Sequence, residues 1–152
     1  EANYTIKKIE RLLSRWVDDK TGEEFNHDGD NMFVFHGTSL KNSNGILMNG
    51  FKKQYNKRKA FGTGTYTTKH WCKAMNYCPV KNGVILVCRV DYYESQKIKS
   101  TGSQIYTPYT DLLIHEPNTI YKHSEIVSIT DMNITPVYRV TIDVHNYCGV
   151  NR

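Results

Sequence analysis

Three stations along this 152-residue chain carry side chains that can do chemistry. His36-Gly37-Thr38 closes the apolar run Met32-Phe33-Val34-Phe35, Tyr66 follows the glycines Gly62 and Gly64, and Glu125 precedes the apolar run Ile126 to Ile129. A histidine hydrogen-bonds a hydroxyl, an aromatic ring stacks on a flat ring, and a buried carboxylate opposes positive charge as it develops. Each station alone has a plainer reading: a satisfied structural histidine, a tyrosine packed in the core, a solvated strand-end carboxylate. The ordered set, with helical segments between the stations, favours a functional reading.

Other sites fit less well. Gly62-Thr63-Gly64 does not open a helix after a strand, as a Rossmann glycine loop must, and no Gly-Lys-Ser or Gly-Lys-Thr is present for a Walker loop. Cys72, Cys78, Cys88 and Cys148 form no C-x-x-C pair, and no histidine stands at zinc-finger spacing from them. No metal site is expected, and free thiols in a reducing compartment are expected over a disulfide framework.

The elements that must position the stations follow from periodicity. Ile6, Ile9, Leu13, Trp16 and Val17 recur at helical spacing and predict a first amphipathic helix, followed by a polar loop, Thr21 to Asn31. Met32 to Phe35 reads as a short buried strand. A second helix is expected to start near Asn42 or Ser43 and to end at Gly50. Lys52 to Ala60 is a basic loop. Thr68 is expected to cap a third helix, Lys69 to Cys78, stopped by Pro79. Val84 to Cys88 is the most continuous apolar run and reads as a central strand buried on both faces. Ser95 to Asn118 is polar, rich in tyrosine and unassigned. Ile126 to Ile129 is a strand, and Val140, Ile142 and Val144 alternate with polar residues as a strand with one wet face does. Helices early and strands late give an α+β protein.

Composition sets outer bounds. The length suits one domain over residues 1–152, and the start at Glu1 fits a domain excised from a longer chain. Hydrophobic residues at 39% suffice for a core, and no apolar run nears the roughly 20 residues that span a bilayer. Without a visible signal peptide, an intracellular location in cytoplasm or nucleus and no membrane contact are expected. Net charge is +5, and Lys52, Lys53, Lys57, Arg58 and Lys59 concentrate it in one stretch suited to phosphates.

Phe35-His36-Gly37-Thr38, followed by Gly45-Ile46-Leu47 and Asn49-Gly50-Phe51, resembles the opening of the poly(ADP-ribose) polymerase catalytic domain. Gly62 to Tyr66 resembles that family's G-x-G-I-Y-F turn, and Asn76-Tyr77-Cys78 its N-Y-C helix end. Gly83 to Val90 resembles its central strand, and Ile6 to Trp16 its first helix. Glu125-Ile126-Val127, with Pro136 and Tyr138 downstream, resembles its last strands. Nearly the whole chain is covered, least well between Ser95 and Asn118.

The resemblance implies an ADP-ribosyltransferase-like fold: two packed, mostly antiparallel sheets with flanking helices around an NAD cleft. It implies a His-Tyr-Glu triad of His36, Tyr66 and Glu125. Alignment on Pro136 and Tyr138 without gaps puts Glu125 third, whereas alignment on Ile126-Val127 could put Ser124 there. His36 would bond the adenosine-side ribose, Gly37 would offer its backbone to the carboxamide, and Tyr66 and Tyr77 would sandwich the nicotinamide. Thr38 and Lys52 would lie near the adenosine end. Lys52 departs from the family's more usual arginine, and Ala74 from its usual serine.

The co-substrate implied is NAD+, with no metal. The acceptor is a protein, the chain itself included, with a nucleic acid less favoured, and single ADP-ribose units are expected over polymer. An NAD-dependent RNA 2′-phosphotransferase and a binding module without turnover are the other readings. The chain's six arginines fall in no pattern for the former. Glu125 argues against the latter, and Ala74 mildly for it.

Overall fold

The computed structural model describes residues 3–12, 29–51, 64–98, 112–115, 125–128 and 134–148. The described elements are β1 (Tyr4–Arg11), β2 (Asp30–Ser39), α1 (Leu40–Asn49), β3 (Thr65–Thr67), α2 (Trp71–Met75), β4 (Gly83–Tyr92), β5 (Ser95–Ile98), β6 (Leu112–His115), β7 (Glu125–Ser128) and β8 (Ile134–Val144). They form two four-stranded sheets, β1-β8-β4-β2 and β3-β7-β6-β5. Every pairing is antiparallel except β5 with β6. The expected two-sheet, mostly antiparallel architecture is present.

β4 is the centre of the first sheet. Its apolar run is flanked by β8 and β2, and eight of its ten residues are buried, on both faces, as the unbroken run requires. One face, with Val84, Leu86, Cys88 and Val90, packs with Val34 of β2 and with Leu112 and Ile126 of the second sheet. On the other face Ile85 packs with Val140 and Ile142 of β8 and with Ala74, Met75 and Cys78 around α2. α2 and the second sheet therefore lie on opposite faces of β4 and β2.

Among the described residues, one main-chain bridge joins the two sheets. Just past β3, Thr68 exchanges main-chain hydrogen bonds with Phe35 of β2, at 2.7 and 3.0 Å. That bridge sets Tyr66 beside His36.

Several expectations are corrected. Residues 4–11 form a strand, not a helix. Ile6 and Ile9, three apart, would share a helix face; in β1 a bulge between Ile6 and Lys8 sets them opposite Ile142 and Val140, on one face of the strand, where they stay 48% and 62% exposed. Main-chain bonding to the open edge of β8 wins over the helical pattern. The strand is also anchored by Tyr4 against the Trp71 ring at 5.6 Å and by Glu10 bonded to Arg139. Leu13, Trp16 and Val17 lie outside the described residues. With β1 first, the helices-early order fails as well.

α1 starts earlier than expected. Ser39, not Asn42 or Ser43, is the N-cap, its Oγ accepting from the Asn42 N–H at 3.1 Å. Gly50 ends it as expected, at φ 77°, a backbone conformation that costs glycine little. α2 is only five residues long, and its N-cap is His70, not Thr68, which is committed to the bridge. The described residues of Ser95 to Asn118 form two strands, β5 and β6, the latter almost wholly buried.

The expectation of four free thiols is overturned too. Cys72 at α2 and Cys148 after β8 form a disulfide, with Cα atoms 5.7 Å apart and 76 residues between them in sequence. Cys78 and Cys88 are free and buried. Burial pushes the Cys78 thiol up to about 11 and the Cys88 thiol higher still, so neither is a thiolate at neutral pH. Closing so long a loop restricts the unfolded chain. Replacing both Cys72 and Cys148 with serine is expected to lower unfolding free energy by about 4 kcal/mol in a urea titration. An unchanged midpoint would contradict the bond.

Hydrogen bonds from Arg139 hold the half-buried Glu10 carboxyl below the ordinary carboxylate range. A carboxyl depressed in the folded state stabilises above its unfolded pKa, and that contribution fades as pH falls through the folded value. The gap in melting temperature between the native chain and Glu10→Gln should therefore narrow on acidification. A gap that widens would contradict the pairing.

Candidate active site

Beside the bridge between the sheets lies a recess of about 330 Å3, its open mouth included. Phe35, His36 and Gly37 line it from β2, Tyr66, Thr67 and Thr68 from β3 and just past it, Lys73, Ala74 and Tyr77 from α2 and its end, and Glu125 from β7. Residues from four elements and 90 positions of sequence thus converge on one space. His36, Gly37, Tyr66, Tyr77 and Glu125 are brought together. Thr38 is not among the lining residues: it is buried on β2, opposite Val84. Lys52, the basic loop and Ser124 lie outside the described residues.

Local structure fixes each side chain. The His36 ring packs edge-on against Phe51, with centroids 5.1 Å apart, and its Nδ1 bonds the Tyr66 carbonyl at 2.9 Å. A carbonyl only accepts, so Nδ1 carries the proton and, in the neutral ring, Nε2 is the acceptor nitrogen. Tyr66 pairs with Val127 of β7, which registers β3 against the strand that carries Glu125.

Gly37 has a structural reason to be glycine besides any contact with a ligand. A Cβ there would stand 1.8 Å from the Ala74 carbonyl oxygen and 2.7 Å from its carbon. β2 and α2 are in backbone contact at this point, and that contact sets the depth of Ala74, Lys73 and Tyr77 in the recess.

Glu125 is the first residue of β7 and is 6% exposed. The Lys73 ammonium, 1% exposed, stands 3.3 Å from its Oε1. A buried carboxylate is costly unless paired, and this lysine supplies the pair. Lys73 was missed in the sequence, where it stood without comment inside the expected helix Lys69 to Cys78. The available signal was its spacing: four residues before Tyr77, it shares that tyrosine's side of the helical turn.

A family model, the poly(ADP-ribose) polymerase catalytic domain, matches residues 1–146. The chain belongs to that family. Among curated relatives, protein mono-ADP-ribosyltransferase PARP16 of Mus musculus is 37% identical over 80 residues, 53% of this chain and 23% of the relative. The Homo sapiens protein of the same name is 39% identical over 54 residues, 36% of this chain and 17% of its own length. The chain thus spans only a minor part of the relatives it matches.

As a poly(ADP-ribose) polymerase catalytic domain, the chain has a recess whose chemistry suits a ligand with a flat ring and hydroxyls. Two tyrosines flank it, one of them (Tyr77) an exposed residue, and the buried Lys73–Glu125 pair sits in the wall. Among the described residues no group of three or more potential metal ligands gathers, and no helix is long and apolar enough to cross a membrane.

Proposed function

We propose that this chain is an NAD-dependent ADP-ribosyltransferase that breaks the nicotinamide–ribose bond and transfers single ADP-ribose units to protein. The observation that carries the reading is the meeting of His36, Tyr66 and Glu125 in one recess of a chain of this family.

NAD+ enters as substrate, with nicotinamide between Tyr66 and Tyr77 and its carboxamide on the Gly37 backbone. The His36 Nε2 accepts from a hydroxyl of the adenosine-side ribose. Glu125 accepts from a hydroxyl of the nicotinamide ribose, beside the bond that breaks. As that bond opens, its electron pair leaves with nicotinamide, and positive charge spreads over the ribose carbon and ring oxygen. Glu125 opposes this charge, which exists only near the transition state. Lys73 pairs with the carboxylate and orients it. The acceptor oxygen then bonds to the same carbon. An acidic side chain is the expected acceptor, since it needs no deprotonation at neutral pH.

Single units are favoured because the matched relatives are named mono-ADP-ribosyltransferases. Denaturing gels of protein treated with labelled NAD decide it. One sharp band that neutral hydroxylamine strips fits the reading, whereas a ladder or high smear means polymer and overturns it.

Ala74 lines the recess where a serine would add a hydroxyl. Ala74→Ser is expected to tighten nicotinamide-like inhibitors by about 1 kcal/mol, roughly a fivefold lower inhibition constant. An unchanged or weaker constant would speak against the carboxamide lying beside this residue.

A further inference from the structure

The wall of the recess that α2 forms is held from outside the site. A helix as short as α2 is far below the roughly 12 to 15 residues that stand alone in water. Its N-cap, His70, makes no side-chain cap hydrogen bond. Yet α2 carries Ala74 and Lys73, the partner of Glu125, with Tyr77 just past its end, and all three line the recess. Its position therefore depends on what grips it.

Part of that grip comes from the chain just past β8. The His145 and Asn146 N–H groups donate to the Asn3 carbonyl at 2.8 and 3.0 Å, which fixes this segment beside the start of β1. From there the Tyr147 hydroxyl donates to the Cys78 carbonyl, beyond the end of α2, and Cys148 is bonded to Cys72, inside it. One strap thus grips α2 on both sides of Lys73, and its covalent end is the residue next to that lysine. Cys72 and Cys148 are half-buried, not sealed in the core. The chain's other two cysteines, Cys78 and Cys88, are buried thiols that stay protonated at neutral pH, so neither attacks the bond.

We infer that the Cys72–Cys148 disulfide is a redox site that controls the recess, with a dithiol reductant as its reaction partner. A thiolate of the dithiol attacks one sulfur and gives a mixed disulfide, which the second dithiol sulfur then closes upon. Two electrons pass to the bond, the dithiol leaves as a disulfide, and its two protons end on Cys72 and Cys148. Reduction frees α2 on one side and lets Lys73 move from Glu125. The Tyr147 bond remains and keeps the two thiols close enough to re-form the disulfide. The effect on turnover rests on the transferase reading, but release of α2 is measurable without turnover.

The first measurement is backbone 15N relaxation of the whole chain, oxidised and after dithiothreitol. Order parameters of Lys73 to Tyr77 should fall from about 0.85 to below about 0.7, with those of Val84 to Cys88 unchanged. Unchanged α2 values overturn the proposal. A fall in both segments, or unfolding of the reduced chain, also overturns it, because the bond then staples the whole fold and does not act on the recess. Kinetics of nicotinamide release supply the second measurement. Reduction should raise KM for NAD by about fivefold and lower kcat by about threefold, and oxidised glutathione should restore both. The double variant Cys72→Ser, Cys148→Ser should match the reduced chain and not respond to reductant. Oxidised-chain kinetics in the reduced protein or in the double variant overturn the proposal, as does a double variant that still responds. A native chain that releases no nicotinamide defeats the transferase reading alone, and the order parameters then judge the strap.

Discussion

Glu125→Gln is expected to lower the rate of ADP-ribose transfer by roughly 100- to 1,000-fold, the scale seen when one preorganised electrostatic group is removed from a site. The amide keeps the size of the side chain and leaves an oxygen to accept from Lys73, so the fold should survive. The charge that the carboxylate opposes is absent from bound NAD+ and appears only as the bond opens. NAD affinity should therefore stay within roughly threefold, under about 0.7 kcal/mol. Calorimetry with single-turnover kinetics separates the two quantities. Full activity in Glu125→Gln, with loss in Ser124→Ala, would mean that the third triad place belongs to Ser124.

Gly37→Ala should damage fold and site together. The added Cβ meets main chain, the Ala74 carbonyl at 1.8 Å, and no side-chain rotation relieves it. β2 is bonded along its length to β4, from Asp30 to Ser39, so the short α2 must give way. Overpacking of this severity costs about 3 kcal/mol or more. The displacement also carries Lys73 from Glu125 and moves Tyr77, which lie on or just past the same helix. A urea midpoint and an NAD titration check the two halves. Native stability with native affinity would contradict the backbone contact.

The parts that sequence made legible are those where one physical demand dominates. The Val84 to Cys88 run could only be a strand buried on both faces, and β4 is one. Val140, Ile142 and Val144 alternate as a strand must, and Gly50 stands where a helix end needs positive φ. His36, Gly37, Tyr66, Tyr77 and Glu125 were legible as a set because their local settings match a family pattern, and the fold gathers them round one recess.

What was missed depends on partners distant in sequence. β1 has a helical pattern, but its bonding comes from an edge of β8 more than 120 residues away, which no local window contains. Cys72 and Cys148 have no spacing signal, and only the packing of α2 against the end of β8 brings them into range. Lys73 stands unmarked in the expected helix until β7 places a carboxylate 3.3 Å from it. Leu112 to His115 is too short to stand out from polar surroundings, yet it is a buried strand of the sheet that carries Glu125.

The most direct test of the transferase reading uses NAD+ labelled separately on nicotinamide and on adenine, incubated with the native chain and a mixture of acceptor proteins. The account predicts release of free nicotinamide, matched by covalent adenine label on protein, with both signals falling together in Glu125→Gln. Binding of NAD+ without release of nicotinamide, or release that Glu125→Gln leaves unchanged, would contradict it.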